Sequence, residues 1–307
     1  MRLKTLALSF AILTGAVASS GAQNTPTYST QNPSPMVEHS RTHERIETRE
    51  LAGTRRTFSG PLDKPVDVFI PADVRHADAL HLVIHFHGGA FIPEYAVSQL
   101  GGDHIIAVVM LTPGSVSYDR AFVEPAAYDS LVSNIRREAS AALNAPATFV
   151  DVTLVGFSAG HGAIRSILRD SAHFAQVSGV LLLDGLHTSY VPEGTVLSRG
   201  GTLDESNLVT LAKFARAAMR GEKRFLITHS EIFPGTFAST TETTDYLVAT
   251  LGLTRKPVLQ WGPRGMQQLS EAKQGKFEIE GFAGNAAPDH VDQLQGMPEF
   301  LRKLVGM

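Results

Sequence analysis

The chain has 307 residues, with 27 Lys and Arg against 30 Asp and Glu, 12 His and no Cys. A formal net charge of −3 lacks the basic excess that phosphate binding needs, so no nucleic-acid partner is expected. A mean hydropathy near zero excludes a polytopic membrane protein, and the missing cysteines exclude disulfides, thiolate metal sites and a cysteine nucleophile.

Arg2 and Lys4 precede an apolar run over 6–18, with small-x-small sites at Ala16-Val17-Ala18 and Ser20-Gly21-Ala22. That is the pattern of a secretory signal peptide over residues 1–22, and it implies export to the periplasm or beyond. As a membrane anchor the run is short of the ~20 apolar residues a span needs, so no integral membrane segment is expected after cleavage. Over 23–49, Thr, Ser, Pro, Asn and charge displace the aliphatic residues. Such a stretch buries too little to offset its ordering entropy and reads as a flexible linker. The folded domain is then expected over 50–307.

Within it, residues 66–70, 81–87 and 105–111 read as strands closed by Pro71, Gly88-Gly89 and Pro113-Gly114. Their near-continuous apolar runs suit a parallel sheet covered on both faces. Tyr128, Leu131, Val132, Ile135, Ala139 and Ala142 share one helical face that ends before Pro146. Residues 149–155 form the next strand, followed by a helix with Ile164, Ile167 and Leu168 inward, then a strand over 180–183. Thr202-x-x-Glu205 reads as a capping box before a helix with Leu208, Leu211, Ala212, Ala215 and Met219 inward. A strand at 225–228, a helix capped by Ser239-x-x-Glu242, a last strand at 277–282 and one closing helix over about 291–304 complete the alternation. Strands alternating with helices predict a single mostly parallel sheet of about eight strands with helices on both faces.

Gly156-Phe157-Ser158-Ala159-Gly160 fits G-x-S-x-G. The pentapeptide alone is weak, but it ends an apolar strand and opens an amphipathic helix, the context a nucleophile elbow requires. Flanking glycines let strand and helix close around a strained serine, and the helix N-terminus favours a developing oxyanion. Ser158 is the candidate nucleophile; a Gly-rich turn without chemistry is the alternative.

His85-Phe86-His87-Gly88-Gly89-Ala90 follows an apolar strand two elements earlier. It resembles the HGG-type segment of α/β-hydrolase esterases and lipases, and departs from the fuller HGGG form at Ala90. The resemblance implies an oxyanion hole built from the N–H of Gly88 or Gly89 with that of Ala159. Metal binding by His85 and His87 competes with it, but no third ligand accompanies them, so neither a metal nor any other cofactor is expected.

In that superfamily the triad runs Ser, then Asp or Glu, then His. Only His290 remains after His229, and it follows the last strand, where this fold delivers its base. Asp184 ends the strand after the elbow's helix, resembling families, including some lipases, that take the acid there. Glu231, after the following strand, is the alternative acid. Asp289 is poorly placed to orient its own neighbour's ring.

The folded length as a whole resembles the α/β-hydrolase superfamily, with no specific subfamily. The resemblance implies an exported serine hydrolase that cleaves carboxylic esters of a small-molecule or acylated substrate through an acyl-enzyme. A peptidase, amidase or acyltransferase would use the same triad, and a non-catalytic binding protein could keep the scaffold. No insertion is long enough for a large cap domain. Residues 188–201 and 232–238 are the expected rim, with Phe233, Phe237, Tyr190 and Trp261 as candidate pocket linings or ordinary packing. His161 and Arg120 are further residues near the expected site.

Overall fold

Aliphatic runs that cannot face water pair edge to edge and bury both faces under helices. In the computed structural model, which describes residues 42–307, they form one ten-stranded sheet in the order β1-β2-β4-β3-β5-β6-β9-β12-β11-β10. The strands are β1 (Gly53–Phe58), β2 (Val66–Pro71), β3 (Leu80–Phe86), β4 (His104–Val109), β5 (Phe149–Phe157), β6 (Gly179–Leu183), β9 (Arg224–His229), β10 (Lys256–Trp261), β11 (Gln267–Gln274) and β12 (Phe277–Phe282). The six central strands are parallel, while β1, β2, β11 and β10 add antiparallel edges. The short pair β7 (Tyr190–Val191) and β8 (Thr202–Leu203) stands apart.

Side chains alternate between two cores because successive Cβ atoms point to opposite faces. Leu82, Ile84 and Phe86 join the core that packs against α2 (Ser115–Ala121), α3 (Pro125–Leu143), α4 (His161–Ile167), α6 (Val209–Met219) and α7 (Thr240–Thr250). Val83, Val155 and Leu181 join the other, beneath α1 (Phe91–Leu100), α8 (Ala287–Gln295) and α9 (Met297–Val305). The short α5 (Ser171–Gln176) is capped by Asp170. The buried face of α3 is the predicted Tyr128, Leu131, Val132, Ile135 and Ala139. Among the described residues, no helix is long and apolar enough to cross a membrane.

Four local expectations need correction. Thr202 lies in β8 and caps no helix; Asp204 caps a 3-10 turn over Glu205–Asn207 instead, and α6 starts after it. The closing helix is two helices, broken where Gly296 packs against the Phe300 ring. The sheet gains β1, β10 and β11, whose polar, partly exposed faces lack the apolar runs that mark the buried strands. The signal segment 1–22 and linker residues 23–41 lie outside the described residues. Residues 42–50 of the region read as linker and boundary have no helix or strand, yet they are held to the domain. His43 and Arg45 reach the buried carboxylate of Asp292, and the Ile46 N–H donates to Gln295 at 2.8 Å.

Candidate active site

The register of two parallel strands brings Ser158 beside Asp184. Phe157 at the end of β5 pairs with Leu183 at the end of β6, so the two following residues leave the sheet at the same level. Both turn through left-handed backbone, with φ of 49° at Ser158 and 44° at Asp184. Non-glycine residues adopt this region at a cost, and such strain concentrates at functional sites. The elbow needs Gly160 because a Cβ there would lie 2.1 Å from the Phe86 carbonyl oxygen.

Asp184 is buried and fully engaged. The Ser230 N–H donates to its Oδ1 at 3.0 Å, the Ser230 hydroxyl to Oδ2 at 2.6 Å, and the Thr240 hydroxyl to Oδ1 at 2.7 Å. His290, from the first turns of α8, places Nδ1 2.8 Å from Oδ2. Burial alone would raise the Asp184 carboxyl, but the bonds from His290 and Ser230 outweigh it and hold the group below the usual carboxylate range. An ionised carboxylate only accepts, so His290 carries a hydrogen on Nδ1 and leaves Nε2 as its basic nitrogen.

Ser158, Asp184 and His290 line one cavity of about 320 Å³, walled otherwise by His187, Ile232, Pro234, Phe237, Thr240 and Ala287. The His290 ring is backed by Phe157, whose centroid is 4.6 Å away, and Phe157 in turn stacks on His87 at 6.0 Å. His87 Nδ1 lies 3.2 Å from the Tyr118 hydroxyl. Burial, then the nearness of His290, lowers the pKa of His87.

The glycines after His87 differ. The Gly88 N–H points at the sulfur of Met110 at 3.3 Å, whereas the Gly89 N–H has no hydrogen-bond partner among the described residues. Ala159, the first residue after the nucleophile, lies on the 3-10 turn over Ser158–Gly160 that leads into α4.

Other predicted residues fall elsewhere. Glu231 is exposed, lines a different cavity, and donates its N–H to Gly284, and the carboxylate in contact with His290 is that of Asp184. Asp289 accepts from the Ala286 N–H. His161 is buried with Nδ1 2.9 Å from the Ser158 carbonyl oxygen, a contact to the backbone of the elbow turn. Arg120 lines a separate cavity with Asp63 and Lys64. Of the expected rim, Ile232, Pro234 and Phe237 line the Ser158 cavity; Tyr190 is buried with its hydroxyl on Glu242, and Phe233 and Trp261 are exposed. The second and third residues holding Asp184, Ser230 and Thr240, are missing from the sequence reading. Ser230 directly follows an apolar strand and Thr240 follows the cap residue Ser239, and these positions were their only signal.

His85 is wholly buried in the sheet, while His87 has left it through a φ of 72°. Among the described residues, His43, Asp289 and Asp292 form the one grouping with ligand atoms close enough for a metal, within 4.8 Å of one another. Arg45 already sits on Asp292, which suits a clasp between chain segments better than a cation site.

No protein-family description and no curated protein matches the chain. Solved structures follow a similar path. An arylesterase matches 85% of this chain and 87% of its own at 11% identity and a TM-score of 0.48. Poly(aspartic acid) hydrolase-1 from Sphingomonas sp. matches 84% and 100%, at 12% identity and a TM-score of 0.47. S-formylglutathione hydrolase from Staphylococcus aureus matches 84% and 99%, at 12% identity and a TM-score of 0.44. Likenesses this distant carry no argument about chemistry. The chain's own architecture does bear on its fold: a mostly parallel sheet clothed on both faces, with a strand-turn-helix around Ser158 and with Asp184 and His290 following in that order, is an α/β-hydrolase fold.

Proposed function

We propose that the protein is a serine hydrolase that cleaves carboxylic esters. The observation that carries this reading is the 2.8 Å contact between His290 Nδ1 and Asp184, made at the wall of the cavity that also exposes Ser158. In the proposed reaction the Ser158 hydroxyl oxygen bonds to the ester carbonyl carbon as its proton passes to His290 Nε2. The Ala159 and Gly89 N–H groups receive the oxyanion. Collapse breaks the bond to the alkoxy oxygen, which leaves as the alcohol with the proton from His290. Water, deprotonated by the same nitrogen, then bonds to the acyl carbon; the acyl–Oγ bond breaks, the proton passes from Nε2 to Ser158 Oγ, and the acid leaves. Asp184 stays ionised throughout and stabilises the imidazolium.

The cavity wall of Ile232, Pro234, Phe237 and Ala287 favours an uncharged, apolar group on one side of the scissile bond. Residues 1–22 support export, with cleavage after Ala18 or Ala22. The test is labelling with a fluorophosphonate. Wild-type protein is expected to label on Ser158 and to hydrolyse nitrophenyl esters, and Ser158→Ala to do neither. A folded wild type that resists the label and hydrolyses no ester refutes the proposal. N-terminal sequencing of protein from the culture medium or periplasm tests export.

A further inference from the structure

Behind the triad acid lies a second polar assembly centred on Arg255, in the loop between α7 and β10. Its Nε–H and Nη2–H groups reach Asp245 Oδ1 at 2.9 and 2.7 Å, and Nη2 also reaches the Thr244 hydroxyl at 2.9 Å. Nη1 faces the Ser270 hydroxyl and His229 Nε2, each at 3.1 Å. One guanidinium therefore joins α7, β11 and the end of β9.

The contact to His229 has a direction. Arginine only donates, so His229 Nε2 accepts, and the ring carries its hydrogen on Nδ1. That Nδ1 lies 3.0 Å from the Ser230 carbonyl oxygen, which also accepts from the Thr241 hydroxyl at 3.1 Å. Ser230 gives both its N–H and its hydroxyl to Asp184. A chain of oriented hydrogen bonds thus runs from Arg255 through His229 and Ser230 to the carboxylate beside His290.

We propose that Arg255 is a positioning residue for the triad acid, holding through His229 the Ser230 groups that aim Asp184 at His290. The proposal rests on the serine-hydrolase reading above. It also gives the sheet's extra edge a part in catalysis, since Ser270 of β11 shares the same guanidinium. Reach from solvent is available: the Arg255 side chain is 21% exposed and lines a cavity of about 230 Å³ distinct from the one at Ser158.

A mere clamp between α7 and β11 would affect stability and leave turnover alone, so the test reads turnover. In the full chain, Arg255→Ala is expected to lower kcat on a nitrophenyl ester by about tenfold to a hundredfold, with KM within about twofold, because the acid is misaimed while the substrate cavity is intact. Guanidinium ion at millimolar concentration is expected to restore part of that kcat and to leave wild type unchanged. Arg255→Lys keeps the charge and loses the fork, so it is expected to stay slow and to gain nothing from guanidinium. If the alanine variant does not fold, the lysine variant carries the test. Wild-type kcat in either variant overturns the proposal, as does a loss in folded Arg255→Ala that guanidinium leaves untouched. A wild type that neither labels with fluorophosphonate nor turns over ester refutes the underlying reading instead, and needs no variant to show it.

Discussion

Gly185 packs directly on the backbone of Ser158: a Cβ at position 185 would lie 2.8 Å from the Ser158 carbonyl oxygen and 2.9 Å from its nitrogen. The turns at Asp184 and Ser158 therefore touch without a side chain between them. Gly185→Ala forces the two turns apart, at about 1–3 kcal/mol if the strain is ordinary overpacking. The expected result is a lower Tm together with slower fluorophosphonate labelling. Wild-type labelling in a destabilised variant would show that the two turns move independently.

Asp184 ties the site to pH. Its folded pKa is held below the ordinary carboxylate value of 3.8 by His290 and Ser230, against the opposing effect of burial. A depressed carboxyl contributes stability above its unfolded pKa and loses it as pH falls through the folded value. Ser230→Ala removes one charge-assisted bond, worth about 1.5–3 kcal/mol at neutral pH. Urea unfolding at a series of pH values should show the gap between variant and wild type narrowing below pH 3.8. A gap of constant size would mean that the lost bond was not to an ionised group.

His85 also weakens the fold as pH falls, but at a higher pH and through burial of a neutral ring. Complete burial lowers its pKa from 6.5 to about 3, so the unfolded chain takes up a proton that the folded chain refuses. Stability is full above pH 6.5 and declines as pH falls toward 3. At pH 5 this one ring costs about 2 kcal/mol. His85→Phe, of similar shape and without a titrating group, should lose less stability between pH 7 and pH 5 than wild type does. His161 carries the same shift to about 3, so acid sensitivity is reduced and not abolished. An unchanged pH dependence would place the acid sensitivity elsewhere.

Phe237 is the large wall of the Ser158 cavity, with its ring edge-on to His187 at 5.0 Å. Phe237→Ala opens that wall to longer groups. Each further methylene accommodated is worth about 0.8 kcal/mol, roughly fourfold in kcat/KM. A series of nitrophenyl esters from acetate upward should shift its optimum toward longer chains in the variant. An unmoved optimum would mean that the acyl group binds on the opposite side of Ser158.

The elbow could be read from the chain because two periodicities meet at Ser158, and the buried strands because their apolar runs are unbroken. The acid was harder. Asp184 and Glu231 both follow strands, and only the pairing of Phe157 with Leu183 brings one of them to the elbow. Which strands become neighbours is a long-range property that local pattern does not carry. Polar edges such as β10 and β11 escape for a related reason: with one side in water they need no apolar run. Ser230 and Thr240 were hidden because hydroxyl residues at strand and helix ends are commonplace, and only the folded geometry shows which of them meet a carboxylate.

His290 stands 106 positions beyond its partner Asp184, on a helix that packs over a sheet already complete without it. Ser158 and Asp184 follow adjacent strands, and so they rise and fall with the sheet itself. The place of His290 depends on α8 staying docked, which is a smaller and more local equilibrium. On the proposed mechanism, activity and fold are therefore two different thermometers. As temperature or denaturant rises, turnover should vanish while the sheet's circular dichroism is still intact, because the first event to silence this molecule is the lifting of one helix.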